Sequence, residues 1–194
     1  MYELLFNNFE KNGLDLDTAE RELIQSFFKH RKYRKNQYVV QQGDVSKYET
    51  FVNKGMLRTY LVDDIGQEHT MKFSPEDWWA GDLYSFTTGN PSSYNVQCLE
   101  DTEVLQISQP DMELLFARVP KMNLYFRILY RNSVIAYNRR VAATLCNTAL
   151  ERYLEFLNKY PHIQQRVPNH LIASYLGIAP QSLSRIRKQV LVKS

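Results

Sequence analysis

The sequence predicts an α+β chain in three consecutive parts: an N-terminal antiparallel β-sandwich or barrel, one long helix, and an all-α C-terminal part. Three observations predict it. Between Tyr33 and Ile107, short runs rich in Val, Tyr, Thr and Phe are separated by turn signals roughly every ten residues, the texture of antiparallel strands and not of βαβ units. From Pro110 to Tyr160 the period becomes helical, with an uninterrupted stretch from Lys121 to Leu145. The last forty-odd residues are again helical and are the basic end of the chain.

The first segment opens as helix. Asp17 followed three residues on by Glu20 forms a capping pattern, and Leu23, Ile24, Phe27 and Phe28 make an apolar stripe behind it. Turn signals then fall at Gln42-Gly43-Asp44, Asn53-Lys54-Gly55, Asp63–Gly66, Ser74–Asp77 and Gly89-Asn90-Pro91. In the helical region the chain breaks before Pro120 and again near Cys146. The stretch between is about 37 Å long at 1.5 Å per residue. Leu124, Ile128, Ile135, Ala142 and Leu145 fall near one face of it. Packing on the chain's own sandwich and a seam between two copies both fit that face, and its length favours the seam. The expected divisions are 1–120, 121–145 for the long helix, and 146–194.

Composition excludes several classes. At 194 residues and 44% hydrophobic the chain is long enough for one good core or a core plus a small satellite. No apolar run of about eighteen residues exists, so no membrane span is expected. The opening MYELLFNNFEKNG lacks the basic-then-apolar pattern of a secretory signal, which points to a cytoplasmic protein. Cys98 and Cys146 are isolated, against a disulfide framework, a zinc site or an iron–sulfur cluster. His30, His69, His162 and His170 are scattered without ligand spacing, and no nucleotide-binding glycine loop, zinc-protease helix or serine-elbow motif occurs. Trp78-Trp79 and the tyrosines fit a pocket lining or, more ordinarily, a sandwich core. No catalytic residue, metal or cofactor is assigned. Charge is unevenly placed: residues 148–194 carry +5, the preceding residues −2, and no acid follows Glu155. A polyanion partner for the C-terminal end alone, or a merely solvated basic tail, follows from this.

The most informative segment is VPNHLIASYLGIAPQSLSRIRKQV, 167–190. Leu171, Ile172, Tyr175 and Leu176 give a short amphipathic helix; Gly177 supplies the left-handed turn that ends it; Ile178 tucks inward; Pro180 opens a second helix at a position where its missing N–H is harmless. That order is a helix-turn-helix. At 100° per residue, Leu183, Ile186 and Val190 share the inward face, and Gln181, Ser184, Arg185 and Lys188 the outward one, flanked by Ser182 and Gln189. This acid-free face offers amide, hydroxyl and guanidinium groups, the chemistry that reads base edges and grips phosphates. Arg187 projects near the apolar side and is expected in a backbone or internal contact. Ala179 stands at the cap position where Ser or Thr would be worth about 1 kcal/mol.

IASYLGIAPQSLSRIRK resembles the helix-turn-helix of the bacterial Crp–Fnr transcription regulators, and AGDLYSFTTGNPSSYNVQCLEDTEVLQIS resembles their cyclic-nucleotide-binding jelly roll. The likeness runs over nearly the whole chain in order, with a long helix between. It implies an N-terminal jelly roll, a dimerisation helix with Leu124, Ile128, Ile135 and Ala142 at the interface, and a C-terminal helix-turn-helix domain. It further implies a homodimer on a two-fold symmetric double-stranded DNA operator, with RNA polymerase and a small-molecule effector as further partners. Arg185 and Gln181 match the family's base-contacting positions, whereas Pro180 replaces an arginine of the cyclic-AMP-binding members, so operator preference should differ. The sequence reaches Ser194 without the family's usual β-hairpin wing.

In cyclic-AMP-binding members a Gly-Glu pair and an Arg-Ser pair hold ribose and phosphate. Without gaps, Gly81-Asp82 and Ser92-Ser93 take these places, and Tyr137 and Asn138 fall where the helix would meet adenine. The arginine is missing, so cyclic AMP is not the expected effector: a neutral hydroxyl does not replace a guanidinium fork on an anion. Backbone N–H groups of Gly81–Ser85 remain a weak anion-binding option. Two other readings stand beside the DNA regulator. One is a small-molecule-sensing signalling module whose C-terminal helices bind a protein partner. The other is an enzyme on a jelly-roll scaffold such as a cupin, to which the missing His/Glu metal cluster is a direct objection.

Overall fold

A computed structural model describes residues 1–161 and 163–191, Leu191 in its backbone alone. The chain divides into two compact units: Met1–Leu61 with Met71–Tyr130, and Val62–Thr70 with Arg131 onward.

The first unit begins with two helices, α1 (Glu3–Lys11) and α2 (Thr18–Phe27). The capping box forms as the sequence indicates: Asp17 Oδ1 accepts the Glu20 N–H at 2.8 Å and Glu20 Oε2 accepts the Asp17 N–H at 3.0 Å. Strands follow: β1 (Lys29–Tyr33), β2 (Tyr38–Val40), β3 (Tyr48–Lys54), β4 (Leu57–Val62), β5 (Glu68–Ser74), β6 (Trp79–Ala80), then a short helix α3 (Leu83–Thr88), β7 (Asn95–Cys98) and β8 (Thr102–Ser108). They form two four-stranded antiparallel sheets in the orders β1-β8-β3-β6 and β2-β7-β4-β5. This is the antiparallel sandwich the turn spacing indicates, and the jelly-roll-like form that the resemblance implies. Helix α3 lies inside the strand-textured region and is unforeseen; at six residues it is too short to show a 3.6 period.

Alternation fixes what lies between the sheets. Val52 and Val104 pair across β3 and β8 and pack with Val40, Leu57, Val96 and Cys98. The buried Gln106 amide donates to Thr50 Oγ1 at 3.2 Å across the same pair of strands. The β3–β4 turn requires glycine: Gly55 has φ +95°, and a Cβ there would stand 2.6 Å from Thr102 Oγ1 and 2.7 Å from the Asp101 carbonyl. Burial pushes the Cys98 thiol up to about 11, so it stays protonated and inert.

A second cluster joins α1 and α2 to α4 (Gln109–Arg118) and to the first turns of α5 (Lys121–Cys146). Phe9, Trp79, Tyr125 and Phe126 meet edge-on, with Phe9–Tyr125 centroids 4.8 Å apart and Trp79–Phe126 5.1 Å. Their polar tips are satisfied internally. Trp79 Nε1 donates to Tyr125 Oη at 2.8 Å, and Tyr125 Oη donates to Asn8 Oδ1 at 2.5 Å. Trp79 is therefore core, the ordinary reading of the aromatic pair.

The second unit contains α5 from Arg131 onward, α6 (Ala149–Lys159), α7 (Ile163–Arg166), α8 (Asn169–Leu176) and α9 (Pro180–Leu191). A capping box opens α6, with Thr148 Oγ1 accepting the Glu151 N–H and Glu151 Oε2 the Thr148 N–H. Phe156, Tyr160 and Tyr175 form a three-ring core, with centroids 5.2–5.8 Å apart. The tip of the β4–β5 hairpin, Val62–Thr70, groups with these helices. Ser174 Oγ accepts the Thr70 N–H at 2.9 Å and lies 3.0 Å from the Glu68 carbonyl, to which it donates. Arg140 Nη2 donates to the carbonyls of Thr70 (3.1 Å) and Tyr175 (3.0 Å), and its guanidinium stacks 4.2 Å from the Tyr175 ring centroid. Within the tip, Asp63 accepts the Ile65 and Gln67 N–H groups and pairs with His69 at 2.7 Å.

Candidate nucleic-acid interface and effector site

Helix α8 ends where Gly177 takes φ +66°, ψ +38°; its N–H reaches the Ser174 carbonyl at 3.1 Å, and the Ile178 N–H reaches Ala173 at 3.1 Å. That pair of bonds is a Schellman-type stop, which frees the next helix to leave at a steep angle. Ala179 offers its carbonyl to the Ser182 and Leu183 N–H groups, and Pro180 takes the first helical position. On α9, Leu183 and Ile186 are buried and Val190 half-buried. The opposite face holds Gln181, Ser184, Arg185 and Lys188, all exposed, with Ser182 half-buried beside them. The structure thus brings these five positions onto one side of one helix. Arg185 Nη2 donates to Ser182 Oγ at 3.3 Å, which orients the guanidinium along the helix; Ser184 Oγ donates to the Pro180 carbonyl at 3.1 Å. Arg187 is turned away and donates to Asn169 Oδ1, the internal contact its helical angle indicates.

The would-be effector cassette lies in the first unit. Gly81 leads into α3, and Asp82 is its cap: Oδ1 accepts the Tyr84 N–H at 3.0 Å and the Ser85 N–H at 3.3 Å. Its second oxygen lies 2.9 Å from Ser92 Oγ, and that hydroxyl also lies 2.9 Å from the Tyr94 carbonyl and accepts the Tyr94 N–H at 3.0 Å. Asp82 and Ser92 are 4% and 3% exposed, so these bonds are made away from water. Donors and acceptors are therefore spent on each other. Two of the backbone N–H groups of the Gly81–Ser85 turn, those of Tyr84 and Ser85, are taken by Asp82 itself. Ser93 is exposed beside them. Tyr137 and Asn138 stand exposed on α5 in the second unit.

One buried group here escaped the sequence reading. Glu49 on β3 is 5% exposed, its Oε2 would lie 3.5 Å from a Cβ at Gly81, and no hydrogen bond reaches its carboxylate among the described residues. Burial pushes it up to about 7; the positive charge of Lys72 opposes that rise and the negative charge of Asp82 adds to it. Only its place in an alternating strand signalled burial, and a charged residue in such a place reads equally well as an edge.

On α5, Leu124 is 47% and Ile135 43% exposed, Ile128 is half-buried and Ala142 is exposed; Ile135 also borders a cavity shared with α6. A second, fully exposed stripe runs at three- and four-residue spacing through Arg131, Val134, Asn138, Val141 and Leu145. Among the described residues no helix is long and apolar enough to cross a membrane, and no group of three His, Cys, Asp or Glu side chains gathers as for a metal. His30 pairs with Glu103 at 3.1 Å and His170 is exposed; His162 lies outside the described residues.

Residues 30–119 match the cyclic nucleotide-binding domain family. FixK2 from Bradyrhizobium japonicum superposes with a TM-score of 0.72 at 17% identity, over 86% of this chain and 85% of that one. A protein of Eubacterium rectale assigned to the Crp/Fnr family gives 0.69 at 18%, covering 92% and 85%. The catabolite activator protein of Thermus thermophilus gives 0.55 at 22%, covering 92% and 85%. No curated protein matches the sequence significantly. At these identities the likeness establishes the fold. Residues 30–119 are thus similar to the cyclic nucleotide-binding domain family, and the chain as a whole shares the fold of these solved structures.

Proposed function

We propose that the protein is a sequence-specific DNA-binding transcription regulator, not an enzyme, and that it acts as a homodimer in the cytoplasm. The observation that carries the reading is the exposed, acid-free face of α9, Gln181, Ser184, Arg185 and Lys188, presented by a glycine-stopped turn at the basic end of the chain. Arg185 and Gln181 read base edges in the major groove, Lys188 grips phosphate, and Ser182 and Ser184 add hydroxyl contacts.

The dimer seam is the exposed stripe through Val134, Val141 and Leu145, with Asn138 as the polar position that sets register. The seam continues onto the neighbouring face of Leu124, Ile128, Ile135 and Ala142, where Leu124 is 47% and Ile135 43% exposed. Two recognition helices about 34 Å apart would then meet successive major-groove faces of a two-fold operator. The jelly roll senses an effector other than cyclic AMP, since Asp82 and Ser92 neutralise each other's hydrogen bonds and offer a phosphate no cation. Selection from a random duplex pool tests the reading: it should return a palindromic site bound more tightly than bulk DNA. Recovery of no site, with binding that is equally weak for every duplex, would overturn it.

A further inference from the structure

The C-terminal unit holds a cavity of about 490 Å³ between α5, α6 and α8. That is the size of a small-molecule site. Its floor is apolar, formed by Ile135 and Ala143 of α5, Phe156 of α6 and Leu176 of α8. Four cations, Arg139, Arg140, Arg152 and Lys159, line it against one carboxylate, Glu155. Glu155 is already engaged, accepting from Asn147 Nδ2 at 3.0 Å.

Two of the cations leave donors unused. Arg139 is exposed and makes no hydrogen bond or ion pair among the described residues. Arg152 is anchored through Nη1, which donates to the carbonyls of Thr144 (3.2 Å) and Asn147 (3.0 Å) at the end of α5. Its Nε is buried with no acceptor. A buried donor on a charged group is expensive to leave unmade, and the fold supplies nothing to meet it.

We propose that this cavity binds a small amphipathic carboxylate, its hydrocarbon or aryl body on the apolar floor and its oxygens on the rim cations, the exposed Arg139 among them. Charge complementarity sets the sign of the ligand, and the apolar floor excludes a bare inorganic anion as the natural fit. A second copy of the chain is not needed to fill the space: the exposed stripe of α5 lies roughly 160° around the helix from the cavity face, at 100° per residue. A ligand here touches Tyr175 and Leu176, so it bears directly on the first helix of the helix-turn-helix.

Titration calorimetry of the full chain with octanoate, and with octanamide as its uncharged counterpart, tests the site without reference to DNA, so its outcome is separate from that of the regulator reading. Octanoate should bind with a dissociation constant on the order of 0.1 mM, and octanamide at least about tenfold more weakly. Arg139→Gln should weaken octanoate by roughly threefold to tenfold. Ala143→Phe should abolish its binding by filling the floor, and Ala136→Phe at the exposed rim does the same should the first variant fail to fold. Equal binding of acid and amide, no binding of octanoate at millimolar concentration, or conversion to monomers by Ala136→Phe (which would place a second copy in the groove) would each overturn the proposal.

Discussion

Replacing Arg140 with Ala should destabilise the C-terminal unit by about 3.5 kcal/mol. The side chain donates to two backbone carbonyls, Thr70 and Tyr175, and stacks on the Tyr175 ring. Each charge-assisted bond contributes about 1.5 kcal/mol at the low end suited to a half-buried group, and the stack adds roughly 0.5 kcal/mol. Thr70 is 1% exposed, so its carbonyl gains little from water in exchange. Urea unfolding followed by circular dichroism reads the loss, and hydrogen exchange at the Thr70 amide reads it locally, because that N–H is bonded to Ser174 Oγ. Ser174→Ala alone should cost about 1–2 kcal/mol, and the two changes together should depart from additivity by about 0.5 kcal/mol or more, since both act through Thr70. Arg140→Lys should recover less than half of the loss, as an ammonium neither bridges two carbonyls nor stacks as a plane does. If Arg140→Ala changed stability by under about 0.5 kcal/mol and left Thr70 protection unaltered, the hairpin tip would not be clasped as described.

Three further outcomes follow. The folded value of Glu49, about 7, lies above its ordinary 4.5, so the folded chain binds more protons between these pH values and loses stability as pH rises through them. Glu49→Gln should therefore stabilise the chain by at most roughly 3 kcal/mol at pH 8 and by nothing at pH 4, as read by urea unfolding at the two pH values; equal effects at both would refute the assignment. Calorimetry with cyclic AMP and cyclic GMP should show no binding, and micromolar affinity coupled to tighter operator binding would mean that some cation replaces the missing arginine. Sedimentation at micromolar concentration should show dimers that Val141→Glu converts to monomers, whereas a monomeric parent protein would remove the seam.

Much of this is legible in the residues because the relevant forces are local. Asp17 with Glu20 fixes a helix start by bonds three residues apart, Pro120 and the Cys146 region bound the long helix, and Gly177 with Pro180 dictates the turn between the last two helices. The two faces of α9 follow from helical angle alone, down to the inward turn of Arg187. What escaped depends on partners distant in sequence. A gapless likeness places Asp82 at a ligand position, but its oxygens are claimed by the α3 N–H groups and by Ser92, ten residues away. Periodicity shows that α5 has apolar positions; it does not say which of them stay open to solvent, and Val134, Val141 and Leu145 join Ile135 among its exposed residues. The clasp of Arg140 and Ser174 on the β4–β5 tip joins residues about seventy to a hundred positions apart, beyond any local signal.

The central claim is that α9 reads DNA through its exposed face, and binding of the selected operator and of unrelated duplex across a range of salt concentrations tests it most directly. Affinity for both should fall linearly with the logarithm of salt. Arg185→Ala should weaken the operator by about 1–3 kcal/mol and relax its base preference, while Lys188→Ala should weaken all duplexes alike and lower the salt slope by about one. An Arg185→Ala protein that bound the operator as tightly and selectively as its parent would contradict the account.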